Sequence, residues 1–191
     1  MGQLETARRY YEESLALGRE IGDKHGQATA LINLGVAHYS QDEYAAAQAL
    51  FEEGLALFRE MGDQQNVALV LLNLGGAALE QGDFQTGRNF FAESIALASA
   101  IGDRRRTLYA LAGLAAVAGG TGDARRAVQL SAAAESLLTT MGAAMEPDVQ
   151  RTHERTVAAA RTALGKEAFA TIWKEGQEMT LEEAVALGSA P

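Results

Sequence analysis

The sequence predicts an all-α fold, a solenoid of antiparallel helix pairs that is closed by a C-terminal helical cap. Three observations predict it. Only two prolines occur among the 191 residues, and the chain is rich in Ala, Leu and Glu, which favour helix. Gly-Asp pairs recur at a fixed period. The segments between these pairs have the apolar spacing of helices.

The Gly-Asp pairs mark the period of the chain. One series is spaced by 40 residues, and a second series with the same spacing lies halfway between its members. Glycine supplies the positive φ that ends a helix, and aspartate caps the next one. A turn is therefore expected about every 20 residues, with one helix between turns. The pairs are Gly22-Asp23, Gly62-Asp63, Gly102-Asp103, Gly82-Asp83 and Gly122-Asp123, and Asp42-Glu43 fills the remaining slot.

Two kinds of helix alternate between the turns. One is amphipathic, with apolar residues at i, i+3/i+4 and i+7, as Phe51, Leu55 and Phe58 show. The other is apolar almost all the way round, so both of its faces should be covered. Antiparallel pairs stacked at a fixed period form a solenoid. The amphipathic copies include residues 8–21, 48–61 and 88–101, and the apolar copies include residues 30–39, 70–79 and 110–119.

Counted along the chain, the pattern gives one unpaired helix, three helix pairs and a different C-terminal segment. Because a stack normally begins with the first helix of a pair or with a polar cap, the unpaired helix indicates a piece of a longer protein. The expected bounds are residues 3–21 for the unpaired helix, and 24–61, 64–101 and 104–141 for the pairs. The repeat region then covers residues 1–142, and a helical capping segment covers residues 143–191.

The capping segment contains three further helix signals. Pro147 suits the first turn of a helix that should end near Gly165. A short helix follows, and the sequence from Thr180 to Glu183 fits a capping box that opens a last helix. Two interpretations stay open: the segment seals the apolar end of the last repeat, or part of it folds into the concave groove in place of a ligand. The short helix places Phe169, Ile172 and Trp173 on one face.

Short motifs in the helix pairs resemble the tetratricopeptide repeat. N-L-G occurs twice in the apolar helices, and Q-G-D-F forms one of the turns. In the amphipathic helix, Ala47 and Phe51 fall where that family has a small and an aromatic packing residue. The third pair departs from the pattern, with Gly113-Leu114-Ala115 in place of N-L-G and Ser131 in place of the aromatic. The motifs are Asn33-Leu34-Gly35, Asn73-Leu74-Gly75 and Gln81-Gly82-Asp83-Phe84.

The resemblance implies a right-handed α-solenoid that binds another protein or peptide and is not an enzyme. Its concave groove would be lined by one face of each apolar helix. The lining is mainly aliphatic and aromatic, and it lacks the Asn, Lys and Arg with which many family members clamp a carboxylate. Because such an apolar strip should not face water, we expect the C-terminal helices, a second copy of the chain or an apolar partner helix to cover it. The groove residues are Thr29, Ile32, Val36, Tyr39, Leu69, Leu72, Leu79 and Tyr109.

The stretch from Ala132 to Leu187 resembles the tail of repeat arrays in bacterial regulators of the maltose-regulator and LuxR-family ATPase type. That resemblance implies a sensor or regulatory region whose ATPase and DNA-binding modules would lie outside these residues. One alternative stays open, an allosteric domain that holds a small metabolite among Tyr39, Leu72 and Tyr109.

Composition narrows the classes of function. There is no cysteine for a thiolate or a zinc site, and the three histidines lack metal-ligand spacing. No signal peptide or run of about 18 apolar residues is present. A net charge of −9 disfavours nucleic acid and anionic membranes as partners. The sequence therefore predicts a cytoplasmic protein without catalytic residues, cofactor or metal. The histidines are His25, His38 and His153.

Overall fold

Helix follows helix along the computed structural model, which describes residues 2–190. Ten helices and no strand lie in that range, so the all-α prediction is confirmed. Met1 and Pro191, the outer ends of the two predicted segments, lie outside it. The repeat helices are α1 (Gly2–Ile21), α2 (Lys24–Tyr39), α3 (Tyr44–Met61), α4 (Gln64–Glu80), α5 (Phe84–Ala100), α6 (Arg104–Gly120) and α7 (Ala124–Thr140). The C-terminal helices are α8 (Pro147–Leu164), α9 (Lys166–Gln177) and α10 (Leu181–Ser189).

Each repeat helix packs against its neighbours in the chain, which makes the stack of a solenoid. We call α2, α4 and α6 the A helices and α1, α3, α5 and α7 the B helices. The A helices also contact one another, α2 with α4 and α4 with α6. They therefore form one continuous layer of the stack.

The turns between helices repeat one hydrogen-bonded arrangement. A glycine with positive φ follows every repeat helix except α2, as at Gly82, where φ is 77°. The next aspartate then accepts a bond from the backbone N–H three residues on, as Asp63 does from Asn66 at 3.0 Å. In the turn before α3, Asp42 takes the glycine's place with a φ of 62°, and Glu43 makes no side-chain cap. The turn whose sequence departs from Gly-Asp thus keeps the conformation but loses the cap.

Close contact between helices depends on glycines that face aromatic rings. A Cβ atom on Gly35 would lie 2.4 Å from Cε1 of Phe51, and one on Gly75 would lie 2.6 Å from Cε1 of Phe91. The ring of Phe91 also faces Gly113 of the next A helix, at 2.5 Å from the Cβ position. The glycine that interrupts N-L-G in the third pair therefore makes room for the aromatic residue of the second pair.

Helix α6 is the most enclosed element of the stack. Every residue from 107 to 118 is buried, as its uniformly apolar sequence predicts. Neighbouring repeat helices cover part of this surface, and the C-terminal helices cover the rest.

The C-terminal helices surround the last repeat. Helix α8 lies against α6 and α7, α9 packs mainly on α7, and α10 returns to contact α5, α6 and α7. The close approach of α10 depends on Gly188, where a Cβ would lie 3.0 Å from Leu114 and 3.1 Å from Leu111. The predicted capping box is present, since Thr180 and Glu183 each bond the other's backbone N–H.

Candidate functional site

A cavity of about 410 Å³ opens on the layer of A helices. The three A helices form its floor, and the first half of α8 forms one wall. We call this cavity and the A-helix faces around it the concave groove. Its lining is Val36, Tyr39, Phe51, Leu69, Leu72, Asn73, Gly76, Leu79, Phe91, Asp103, Arg105, Arg106, Tyr109, Ala112, Gly113, Glu146, Asp148, Val149 and Thr152.

The structure brings six of the eight groove residues named from the sequence into this lining. Thr29 is exposed and lies outside the cavity. Ile32 is buried in the core, where its Cδ1 atom lies 2.6 Å from the Cβ position of Gly54 in α3. Both residues precede Val36 in α2, so the cavity begins only beyond them. The six are Val36, Tyr39, Leu69, Leu72, Leu79 and Tyr109.

The polar residues of the lining were not predicted. Those of α8 and the segment before it come from outside the repeat, so the period gives no information on where they fold. Asn73 belongs to an N-L-G motif, and Asp103, Arg105 and Arg106 lie in the turn before α6 and in its first helical turn. The arginine run at residues 104–106 is the feature of the sequence that could have indicated a polar edge of the groove. The missed residues are Asn73, Asp103, Arg105, Arg106, Glu146, Asp148 and Thr152.

Two tyrosines stand on opposite sides of the cavity. Tyr39 comes from the end of α2, and burial raises the pKa of its hydroxyl above its ordinary value. Its ring packs edge to face on Tyr44, with 5.2 Å between centroids. Tyr109 of α6 donates a hydrogen bond to the carbonyl of Ala144 at 3.2 Å. The Tyr109 hydroxyl thus faces the segment before α8, whereas the Tyr39 hydroxyl lies over the floor of the cavity, 3.4 Å from the Cβ position of Gly76.

Both arginines that line the cavity already pair with carboxylates of the chain. Arg105 donates through Nε to the Tyr109 hydroxyl at 3.0 Å and through Nη2 to Glu146 at 3.0 Å. The bond to Tyr109 is the main reason that the pKa of Arg105 is raised. Arg106 pairs with Asp103. With three carboxylates beside two arginines, this lining does not form a receptor for a free carboxylate.

Charged residues of α8 bridge one end of the groove. Arg155 donates two hydrogen bonds to Glu80, at 2.6 and 3.2 Å, and that pairing is the main reason its pKa is raised. The carboxylate of Glu80 is shielded, with 16% of its side chain exposed. Close by, a bond to Asp42 raises the pKa of Tyr44 to about 12. Helix α8 is thus joined to this end of the A layer by polar contacts.

The histidines and carboxylates do not gather into a metal site within residues 2–190, where no group of three or more ligand side chains is found. Two histidines pair with single glutamates instead. His38 contacts Glu43 at 2.5 Å, and His153 contacts Glu135 at 2.9 Å.

Stacked helix pairs with a lined concave face define the class of helical-repeat proteins. Within that class, the tetratricopeptide repeat family matches residues 1–60 and 66–139, and the chain belongs to this family. Tetratricopeptide repeats generally serve as non-catalytic scaffolds for protein–protein interaction. No curated protein matches the chain. None of the described helices is both long and apolar enough to cross a membrane.

Proposed function

We propose that this chain is a non-catalytic protein-interaction scaffold whose concave groove binds an apolar helix of a partner protein. The observation that carries the proposal is the cavity itself, an apolar trough on the A-helix layer beside an exposed aliphatic residue. Val36 is 45% exposed at the first-repeat end, where the cavity borders solvent. An amphipathic helix laid in the groove would cover Val36, Leu69 and Leu72 with its apolar face.

The wider setting that we propose is a cytoplasmic sensor or regulatory repeat region of a larger bacterial signalling protein or transcription regulator. The tail resemblance from Ala132 to Leu187 supports this setting. Residues 1–142 would then form the repeat array and residues 143–191 its helical cap. The contacts of α8, α9 and α10 with the last repeat support that division.

Site-specific crosslinking tests the proposed helix partner. A photoreactive phenylalanine at position 36 should crosslink, in expressing cells, to a helical segment of one partner protein. Leu72→Asp should abolish the crosslink, because it places a charge in the apolar floor. Met61→Asp, at a residue of α3 that is 37% exposed and outside the cavity, should leave the crosslink intact.

Two results would contradict the helix partner. One is a crosslink that forms only within the chain or that survives Leu72→Asp. The other is a crosslink to a second copy of the chain, which would make the groove a homodimer interface. Sedimentation equilibrium of the wild type and of Leu72→Asp separates that case, because only a groove-mediated dimer would dissociate on this substitution.

A small-ligand domain is the second candidate, and the volume of the cavity favours it. About 410 Å³ falls within the range of small-molecule sites. The rings of Tyr39 and Tyr109 with Leu72 would hold a flat apolar metabolite. A ligand that binds there raises the melting temperature of the wild type by mass action but not that of Leu72→Asp. A metabolite screen in which no compound shifts the wild type would remove this candidate.

A further inference from the structure

The wall of the concave groove that lies nearest to α6 differs from the floor in its burial. It consists of residues 143–152, which we call the lid. Residues 143–146 are in neither helix nor strand, and residues 147–152 form the first part of α8. No residue of the lid is buried. Each of the three A helices in the floor, by contrast, contains at least seven buried residues.

The part of α8 that follows the lid is held by buried contacts. His153 contacts Glu135 of α7 at 2.9 Å. Thr156 lies 3.4 Å from the Cβ position of Gly119 in α6. Ala160 packs in a core together with residues of α7 and α9. We call residues 153–164 the anchored part of α8, and it fixes one end of the lid.

The other end of the lid begins at an open turn. Gly142 has a φ of 66°, and no atom lies within 4 Å of its Cβ position. The next four residues form no regular structure before α8 begins at Pro147. Hinges in proteins are usually a few loop residues next to the end of an element. Residues 142–146 therefore have the position and the surroundings of a hinge.

The contacts that hold the lid against α6 are individually weak. Glu146 pairs with Arg105 at 3.0 Å, and more than half of each side chain is exposed. The carbonyl of Ala144 accepts the hydrogen bond of Tyr109 at 3.2 Å. Val149 is half-buried against the core around α6. Exposed ion pairs contribute little to stability, so the lid depends mainly on one hydrogen bond and one aliphatic side chain.

The closed groove has room for about one turn of a helix. Its cavity measures about 410 Å³. One turn of an α-helix with its side chains fills a cylinder about 10 Å wide and about 5.4 Å long, which is about 420 Å³. Helices that bind in grooves place anchors at i, i+3/i+4 and i+7, over about two turns. A partner helix of that length therefore needs a wider groove than the closed one.

We propose that the lid opens and closes over the concave groove and thereby regulates the access of a partner helix. The first residues of α8 unwind and leave α6, residues 142–146 take up the displacement, and the anchored part stays in place. The apparent affinity for the partner is then lowered by the fraction of molecules that are open. The identity of the occupant rests on the function proposed above, whereas the movement belongs to the free chain.

A single engineered thiol can report the opening, because the chain has no cysteine. The lid contacts α6 at Tyr109, and the anchored part of α8 reaches Gly119. Ala112 lies between these two points, lines the cavity and is 4% exposed. The thiol of Ala112→Cys should therefore react with fluorescein maleimide, a bulky reagent, at a rate set by the open fraction.

Substitutions that loosen the lid should speed this reaction. Glu146→Ala removes the pair with Arg105 and should raise the rate about two- to fivefold, the range that an exposed ion pair allows. Raising the NaCl concentration from about 0.1 M to about 1 M should act in the same direction by screening that pair. Val149→Ser removes the apolar contact and should raise the rate further than Glu146→Ala does.

Two matched controls separate movement of the lid from general loosening of the chain. Glu175→Ala breaks a pair with Arg125, which also joins a repeat helix to a C-terminal helix at 2.6 Å, and it should leave the rate unchanged. The thiol of Ala118→Cys should not respond to Glu146→Ala. Ala118 is 5% exposed in the same helix and packs in one core with Ala160 of the anchored part.

Two outcomes would overturn the lid. One is a rate for Ala112→Cys that neither Glu146→Ala nor Val149→Ser changes, with Leu72→Cys as a second reporter in the cavity lining. The other is an equal acceleration at Ala118→Cys, which would mean that a larger part of the chain unfolds. Because the reaction needs no partner, an opening lid without any crosslink at position 36 would contradict only the function proposed above. A helix that crosslinks there while the lid stays closed would contradict only the lid.

Discussion

The regular spacing of the turns depends on single residues that adopt a positive φ. Gly82 has a φ of 77°, and no atom lies within 4 Å of its Cβ position. The backbone conformation, and not a close neighbour, is therefore the reason for glycine at this position. Asp42 holds the same slot at a φ of 62°, and its carboxylate accepts a bond from Tyr44 at 2.6 Å. Aspartate tolerates the left-handed region better than most residues because its short polar side chain can bond locally. The period therefore survives where glycine is missing.

Alanine substitutions at two glycines should change stability in opposite directions. Gly82→Ala should lower the free energy of unfolding by about 1–2 kcal/mol, because alanine is strained at positive φ. Gly119 lies in helical backbone near the end of α6, with its nearest contact to a Cβ at an ordinary 3.4 Å. Gly119→Ala should therefore raise the free energy of unfolding by up to about 1 kcal/mol. Urea denaturation measures both, and effects of the same sign would contradict this account of the turns.

The capping aspartates should make stability depend on acid pH. Hydrogen bonds, first from the backbone N–H of Asn66, lower the pKa of Asp63 below its ordinary value of 3.8. A lowered pKa adds stability above the unfolded value, and that stability is lost as the pH falls through the folded value. Asparagine caps equally well without titrating. Between pH 7 and about pH 3, Asp63→Asn should lose less unfolding free energy than the wild type. Equal losses for the two proteins would rule out this contribution.

Where the two helices of a pair touch, the sizes of the facing residues are matched. In the first two pairs a glycine of the A helix faces a phenylalanine of the B helix. In the third pair Ala115 stands at the glycine position of the motif and Ser131 at that of the aromatic residue, and both are buried. The departure from the motif therefore changes both sides together, a larger residue on one helix and a smaller one on the other. The packing therefore stays closed although the third pair departs from the motif.

A double-mutant cycle at the first pair tests this matching. Gly35→Ala alone should cost about 1–3 kcal/mol of unfolding free energy, because the new methyl group overlaps the buried ring of Phe51. In a Phe51→Leu background the same change should cost less, with a coupling of at least about 0.5 kcal/mol. Additive effects of the two substitutions would show that the glycine does not serve the ring.

At the scale of the whole molecule, repetition made most of the fold predictable. The 40-residue spacing placed every repeat helix, because each turn is a local hydrogen-bonded motif that its own residues specify. The resemblance to the tetratricopeptide repeat, rather than the spacing, indicated the groove residues that line the cavity, which are Val36, Tyr39, Leu69, Leu72, Leu79 and Tyr109. The spacing could not show that Ile32 turns into the core beside Gly54, because that depends on a neighbouring helix that lacks a side chain there.

The repeat spacing could not predict the polar wall of the groove. Helix α8 could be recognised from Pro147, but its position follows from contacts between elements distant in sequence. The ion pair of Arg155 with Glu80 joins residues that are 75 positions apart. Helices α9 and α10 cover the last repeat, while α8 lies beside the concave groove.

The most direct test of the central claim is the affinity of the partner helix that crosslinks at position 36. Isothermal titration would compare the wild type with Leu72→Asp in the groove and Leu17→Glu at an exposed residue of α1 outside the groove. We predict that Leu72→Asp weakens binding at least tenfold, a loss of about 1.4 kcal/mol or more, and that Leu17→Glu leaves it unchanged. Binding that persists in Leu72→Asp and is lost in Leu17→Glu would contradict the assignment of the concave groove as the binding site.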